Sequence, residues 1–146
     1  MSNEMVLQRL LLTALLSGLI GYEREWHGRA AGLRTHLLVG VGSALVMLTA
    51  LYLMEGLAGR VTIDPTRMSA QVISGIGFLG AGTIMQFRAS VRGLTTAAGL
   101  WVVAGIGLAA GSGFMFGAIM TTVIVLVALF GLRRFELSFS ASKKKP

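Results

Sequence analysis

The sequence lacks cysteine altogether and is poor in charge. Without a thiol, neither thiol chemistry nor a disulfide bond can contribute to this chain. Charged residues make up only 13% of the 146 residues, whereas a soluble domain carries roughly 25% because its surface must face water. Hydrophobic residues reach 54%, and the mean hydropathy is +0.76. These values exclude a soluble domain.

Four long runs carry no charged residue, because the few charges are clustered. They span residues 37–54, 68–87, 94–110 and 114–132, and each is 17 to 20 residues long. A helix needs about 20 residues to cross the hydrocarbon core of a bilayer. A fifth apolar segment spans residues 10–21. It lacks two features of a cleavable signal peptide, because no basic region precedes it and no cleavage site follows it, so we expect it to stay in the protein. The sequence therefore predicts an all-α integral membrane protein with five transmembrane helices in one domain, 1–134, and a basic cytoplasmic tail, 135–146.

The lysines and arginines predict the orientation of the spans. Ten of the thirteen lie in the connections 22–36 and 88–93 and in the stretch after residue 132, while Arg60 and Arg67 lie on the other side. The positive-inside rule then places the N-terminus outside and the C-terminus in the cytoplasm. The net charge of +7 thus indicates topology rather than nucleic-acid binding. The tail residues Lys143, Lys144 and Lys145 either anchor this topology or bind anionic lipid or a partner.

The first span contains ionisable residues at membrane depth. If Arg9 reaches the outer interface, a span of about 20 residues draws Glu23 and Glu25 towards the inner leaflet. Such groups usually face the bundle interior or water and pair with another group. They form either an interfacial salt-bridge cluster or a functional polar site. The candidate partners are Arg29, Arg34, Arg88 and Arg92.

The third span is rich in glycine and carries two glutamines. Glycine on both faces predicts that neighbouring helices approach closely from both sides, which would make this the central helix. Gln71 and Gln86 share a face of the predicted helix, and we expect that face to meet protein or water rather than lipid. The packing glycines are Gly75, Gly77, Gly80 and Gly82.

Asp64 and Pro65 mark the start of the third helix. Asp64 can accept hydrogen bonds as the N-cap, and proline at the first helical position loses no main-chain bond. Asp64 also precedes Gln71 by seven residues and so lies on the same face. The alternative is that Asp64 is a carboxylate at the outer mouth of a polar path and attracts a cation.

Two stretches of the chain resemble each other. Gly18-Leu-Ile-Gly21 and Gly77-Phe-Leu-Gly80 each precede a basic loop that leads into the next span. This echo predicts a parallel repeat of spans one–two and three–four, with the fifth span added. In both halves threonines can cap a helix N-terminus that would offer its positive dipole end to an anion on the cytoplasmic side. These threonines are Thr35, Thr95 and Thr96.

Several blocks in a fixed order resemble one known family. They are Gly21-Tyr-Glu-Arg-Glu25, Ala31-Gly-Leu-Arg-Thr-His36, Asp64-Pro-Thr-Arg67, the stretch 71–82 and Gly93-Leu-Thr-Thr-Ala-Ala98. The chain from about residue 10 to 132 resembles the MgtC/SapB family of bacterial inner-membrane proteins. The family's characteristic polar positions correspond to Glu25, Arg34, Thr35, Asp64, Arg67, Gln71, Thr95 and Thr96.

The resemblance implies a five-span bundle in the bacterial inner membrane and a link to magnesium. Members are associated with growth at low Mg²⁺, some with virulence, and one branch with restraint of the F-type ATP synthase. Longer members carry a soluble C-terminal domain. We expect this chain to be a short form without it, so functions of that domain do not carry over.

Two functions remain open at this stage. The first is a non-enzymatic regulator of other membrane proteins, among them the F-type ATP synthase, that also forms homo-oligomers through its glycine-rich faces. The second is a transporter or channel for Mg²⁺ or another cation along the polar face of the third span. Asp64 and Glu25 are the candidate ligands for Mg²⁺, in separate sites because they lie on opposite sides of the membrane. We expect no enzymatic activity, since no nucleophile–base pairing or metal-ligand spacing is evident.

Overall fold

The computed structural model describes residues 1–87 and 90–142, which form five helices and one short hairpin. The helices are α1 (Asn3–Trp26), α2 (Leu33–Gly56), α3 (Pro65–Thr83), α4 (Leu94–Ser112) and α5 (Met115–Ser142). The antiparallel strands β1 (Met85–Phe87) and β2 (Ser90–Arg92) connect α3 to α4. The predicted five-helix architecture is confirmed. Arg88 and the tail residues 143–146 lie outside the described residues, and α5 continues beyond residue 134, where the sequence predicts the tail to begin.

Three of the helices, α1, α2 and α4, are long and apolar enough to cross a bilayer. The 24 residues of α1 and of α2 correspond to about 36 Å of helix. The part Met115–Gly131 of α5 is a shorter apolar stretch. Since a helix satisfies its main-chain hydrogen bonds internally, it is the form that such apolar segments take in hydrocarbon. The chain is therefore an α-helical membrane protein.

The helix ends follow from the local sequence. Asp64 is the N-cap of α3, as predicted, and accepts a hydrogen bond from the Thr66 main-chain N–H at 2.9 Å. At the start of α4, Gly93 has a φ of +92°, and a Cβ there would lie 1.9 Å from the Thr83 carbonyl oxygen. Only glycine fits this close approach between the end of α3 and the start of α4.

The centre of the bundle is α4, which packs against all four other helices. Its glycines allow this: a Cβ on Gly107 would lie 2.3 Å from the Gly40 carbonyl oxygen, and one on Gly111 would lie 2.7 Å from that of Ala44. The main chains of α4 and α2 therefore touch. The apolar core lies between α1, α4 and α5. Its buried members are Leu16, Ile20, Val103, Ile106, Ala110 and Ala118.

The prediction that the third helix is central is wrong for the single chain. Only Ile76 and Gly80 of α3 are buried, and Phe78 is 82% exposed. A Cβ on Gly75, Gly77 or Gly82 would meet nothing within 4 Å. Small residues permit two helices to approach closely, but their presence does not determine which pair of helices does so. In this chain the close approach is between α2 and the glycines of α4.

Gln86 does not belong to α3 either. The helix ends at Thr83, and Gln86 lies in β1 opposite Val91 of β2. Glycines in the last turn weaken the helix there, and the pairing of Met85–Phe87 with Ser90–Arg92 takes over the main-chain hydrogen bonds. The predicted face shared by Gln71 and Gln86 is therefore wrong.

Candidate functional site

The predicted polar residues lie at the two opposite ends of the bundle. We call the end where α1 stops and α2 and α4 start the inner end, after the predicted orientation, and the other the outer end. The outer end holds Asp64 and Arg67. Gln71 lies seven residues after Asp64, which is about 10 Å along α3 at 1.5 Å per residue. The inner end holds Glu23, Glu25, Arg34, Thr35, Thr95 and Thr96.

Four residues of the inner end, Glu23, Arg24, His27 and His36, form a buried polar group that we call the Glu23 cluster. Glu23 and Arg24 are only 2% and 3% exposed, and the Arg24 Nε donates to the Glu23 Oε2. His27 Nδ1 lies 2.8 Å from the Glu23 Oε1, but its hydrogen bond is to the Glu23 main-chain oxygen, also at 2.8 Å, and Oε1 has no hydrogen-bond partner among the described residues. A buried carboxylate requires such partners, because an unpaired charge away from water is costly.

The expected partners of the two glutamates were the arginines of the inner loops, and this is wrong for the described ones. Arg29, Arg34 and Arg92 are exposed and make no ion pair with Glu23 or Glu25 in the described part of the chain. Glu23 is buried and pairs with Arg24, its neighbour on α1, and the exposed arginines do not reach it.

His36 is completely buried, which the sequence analysis did not predict. Its Nδ1 lies 2.8 Å from the Gly32 carbonyl oxygen, and its Nε2 has no hydrogen-bond partner among the described residues. Gly21 makes room for the His36 side chain, because a Cβ on Gly21 would lie 2.9 Å from the His36 Cβ. Gly99 lies beside the ring, and a Cβ there would be in ordinary contact with the His36 Nε2, at 3.6 Å. The sequence offered only two signals for this burial. They are Gly21, which lies one helix earlier, and the position of His36 four residues after Gly32.

The two candidate magnesium ligands both act as helix caps. The Glu25 Oε2 accepts from the Leu33 main-chain N–H at 2.7 Å, at the start of α2. Asp64 accepts from the Thr66 Oγ1 at 2.6 Å as well as from its N–H. These bonds, the hydroxyl first, lower the pKa of Asp64, and the nearby Arg67 adds to the effect. No three His, Asp or Glu side chains come together to hold a metal ion in residues 1–87 and 90–142.

The threonines predicted to cap the inner helices do not do so. The N-caps of α2 and α4 are Gly32 and Gly93, without a side-chain capping bond. Thr35 and Thr95 are exposed in the first turns, whereas Thr96 is buried. Arg34, Arg67 and Gln71 are also exposed.

A polar row on α1 was missed in the sequence. Arg9 donates from Nη1 to the Gly111 carbonyl oxygen at 2.7 Å and so caps the end of α4. Thr13 and Ser17 are completely buried and donate to the main-chain oxygens of Arg9 and Thr13, at 2.8 and 2.6 Å. The signal was the spacing of four residues, which places Arg9, Thr13 and Ser17 on one face of an apolar helix.

The comparisons with known proteins agree with each other. The model of the MgtC family matches residues 10–137. The protein named "Putative magnesium transporter YhiD" from Escherichia coli K12 is 46% identical over 100 residues, which cover 67% of this chain and 46% of that protein. Protein MgtC of Salmonella typhimurium LT2 is 47% identical over 119 residues, covering 82% of this chain and 48% of that protein.

A third relative covers more of this chain. An uncharacterized protein of Synechocystis is 40% identical over 131 residues, which cover 90% of this chain and 53% of that protein. The chain thus spans about half the length of the curated relatives that it matches. No solved structure matches it.

Proposed function

Since the chain belongs to the MgtC family, we propose that this bacterial inner-membrane protein is a non-enzymatic regulator of other membrane proteins that serves magnesium homeostasis. The outer face of α3, formed by Gln71, Gly75, Phe78 and Gly82, is the surface through which it binds them.

The seam between α1 and α2 is closed where the polar row approaches the Glu23 cluster, and this is the observation that favours regulation over permeation. A Cβ on Gly21 would lie 2.9 Å from the Leu33 Cα, and one on Gly40 would lie 2.7 Å from the Ser17 Cβ, so α1 and α2 touch at both positions. Ile20 is completely buried between the Glu23 cluster and the hydroxyl of Ser17. A hydrated ion needs a continuous polar path, and this seam offers none.

The outer face of α3 is unsuited to contact with lipid. Gln71 is exposed there, and an amide in hydrocarbon without a hydrogen-bond partner is costly. Gly75 and Gly82 leave open space on the same face, beside the exposed ring of Phe78. Small residues of this kind let the main chain of a neighbouring helix come close. Another membrane protein, or a second copy of this chain, would cover both the amide and the open glycines.

Cation transport is the second candidate, and the polar row on α1 is the observation that favours it. Arg9, Thr13 and Ser17 run from the outer end towards the Glu23 cluster. The name of the Escherichia coli relative also refers to magnesium transport. Transport along this row would require α1 and α2 to separate at Gly21 and Gly40.

A flux assay distinguishes the two candidates. The purified chain is reconstituted into liposomes that contain a Mg²⁺-sensitive dye, and Mg²⁺ entry is compared with that of protein-free liposomes. We expect equal rates. Entry that depends on the protein, and that falls in Asp64→Asn or Glu25→Gln, would establish transport and overturn the regulatory proposal.

Photocrosslinking tests the outer face of α3 directly. A photoreactive phenylalanine analogue replaces Phe78 in cells grown at low Mg²⁺, and the same analogue at Phe116 of α5, which is 72% exposed, is the matched control. We expect the analogue at position 78 to capture protein, either subunits of the F-type ATP synthase, as the family resemblance implies, or a second copy. Capture of lipid alone at both positions would contradict the proposed surface.

A further inference from the structure

The N-terminus of α4 opens into a polar pocket at the inner end of the bundle. The pocket has a volume of about 460 Å³, and we call it the α4 pocket. It contains two arginines and two threonines but no acidic side chain. Its lining residues are Arg29, Val91, Arg92, Gly93, Leu94, Thr95 and Thr96.

The main chain supplies hydrogen-bond donors to this pocket. The first intrahelical bond of α4 runs from the Ala97 N–H to the Gly93 carbonyl oxygen at 2.9 Å. The N–H groups of Leu94, Thr95 and Thr96 therefore have no main-chain acceptor one turn earlier. They sit at the positive end of the dipole of a 19-residue helix, and N–H groups in this position bind anions.

The hydroxyl of Thr96 is a second and independent sign of a ligand. Thr96 is only 4% exposed and lines the pocket, yet its hydroxyl makes no hydrogen bond within the described part of the chain. The other buried threonines behave differently. Thr13 and Thr122 each donate at 2.8 Å to the carbonyl oxygen four residues earlier in their helix.

Thr96 has no such acceptor, because the residue four positions earlier is Arg92, which belongs to β2 rather than to the helix. The Thr96 side chain is buried, but its oxygen is not one of the fully enclosed polar atoms that lack a partner, so the hydroxyl is open to the pocket. A ligand in the α4 pocket would satisfy the Thr96 hydroxyl and the free N–H groups together.

Arg29 and Arg92 provide the charge. Both are exposed, and neither makes an ion pair in the part of the chain that the structure describes. They come from different elements, since Arg29 follows α1 and Arg92 ends β2. The planar guanidinium group pairs with phosphate oxygens through two parallel hydrogen bonds.

We propose that the α4 pocket binds a phosphate group, with Arg29 and Arg92 pairing with its charge and the N–H groups and the Thr96 hydroxyl donating to its oxygens. The phosphate belongs either to an anionic lipid headgroup of the inner leaflet or to free inorganic phosphate. A volume of about 460 Å³ leaves space for an organic substituent on the phosphate.

Two binding measurements on the full chain, purified in an uncharged detergent, test the proposal. Native mass spectrometry measures the binding of phosphatidylglycerol, and isothermal titration calorimetry measures the binding of inorganic phosphate. We expect Arg29→Gln combined with Arg92→Gln to weaken binding at least about tenfold, and Thr96→Val, which keeps the side-chain shape, to weaken it by about threefold. The matched control is Arg60→Gln combined with Arg67→Gln, which removes the same charge at the outer end.

Each outcome has one meaning. Binding of phosphatidylglycerol that depends on Arg29, Arg92 and Thr96 identifies a lipid headgroup, and the same dependence for inorganic phosphate identifies the free ion. The proposal is overturned if neither ligand binds, or if the inner and outer arginine pairs reduce binding equally. Circular dichroism of each variant verifies that the helices are retained. If Thr96→Val loses its helices, Thr96→Ala takes its place, since it also removes the hydroxyl, and it is expected to weaken binding in the same way.

Discussion

The helices α3 and α4 have the same length and the same number of glycines, yet they occupy opposite places in the molecule. Each has 19 residues, four of them glycine. In α4, Gly107 and Gly111 are pressed against the main chain of α2, whereas in α3 only Gly80 has a close neighbour, Ala97. The comparison shows that glycine content indicates a capacity for close packing and not its location.

The neighbour accounts for the difference. Three residues of α2 that meet the glycines of α4 are also small, namely Gly40, Ser43 and Ala44, so both main chains can approach. The outer face of α3 meets no such partner within one chain. It carries Gln71 and Phe78 beside its open glycines, which is why we assign it to an external partner.

The largest expected effect comes from filling a closed glycine of α4. Gly107→Ala would place a Cβ 2.3 Å from the Gly40 carbonyl oxygen, and main-chain atoms cannot move aside as a flexible side chain can. We expect the free energy of unfolding to fall by about 1–3 kcal/mol, as for other overpacked cores. Unfolding by SDS in mixed micelles measures it. Gly105→Ala is the control, since a Cβ there meets nothing within 4 Å, and equal stability of the two variants would refute the packing described.

A smaller effect of opposite sign is expected on α3. Gly75→Ala adds a Cβ in open space on the outer face of α3 and replaces a poor helix former, so in micelles the chain should gain about 0.5–1 kcal/mol. The same SDS titration measures the gain. A loss of stability would mean that a second copy already occupies this face in the micelle, and the size of the particle by light scattering would then distinguish monomer from oligomer.

The smallest effect concerns the two helix starts. The Asp64 cap has its pKa lowered by hydrogen bonds from Thr66, so its stabilising effect is complete above the ordinary carboxyl pKa of about 4 and is lost as the pH falls through the lower folded value. The start of α4 is capped by Gly93 and has no such group. We expect hydrogen exchange at Thr66 to accelerate at acid pH, after correction for intrinsic rates, and that at Thr96 to remain constant. Two results would contradict this prediction. One is an equal change in the exchange rate at Thr66 and Thr96, and the other is the same pH dependence at Thr66 in the unmodified chain and in Asp64→Asn.

More of the fold than of the candidate site could be predicted from the sequence. The long uncharged runs predicted five helices, and Asp64 with Pro65 predicted where α3 starts, because both signals are local. The pairing of Glu23 with Arg24 rather than with the loop arginines was not predictable, since it depends on which way α1 is rotated. The burial of His36 was also missed, because Gly21, which makes room for it, and Gly99, which lies beside its ring, are 15 and 63 positions away in the chain.

The sequence by itself determined that the chain lies in a membrane as helices. Uncharged apolar segments enter the hydrocarbon, and a helix satisfies all of their main-chain hydrogen bonds within the segment. It also determined the family, through blocks that are contiguous in the chain. Only the tertiary structure decided that α4 and not α3 is central, that the seam between α1 and α2 is closed, and that the buried side chain of Thr96 makes no hydrogen bond to the residues that the structure describes. Those features depend on which small residues from distant segments face each other, and helix periodicity alone does not contain that information.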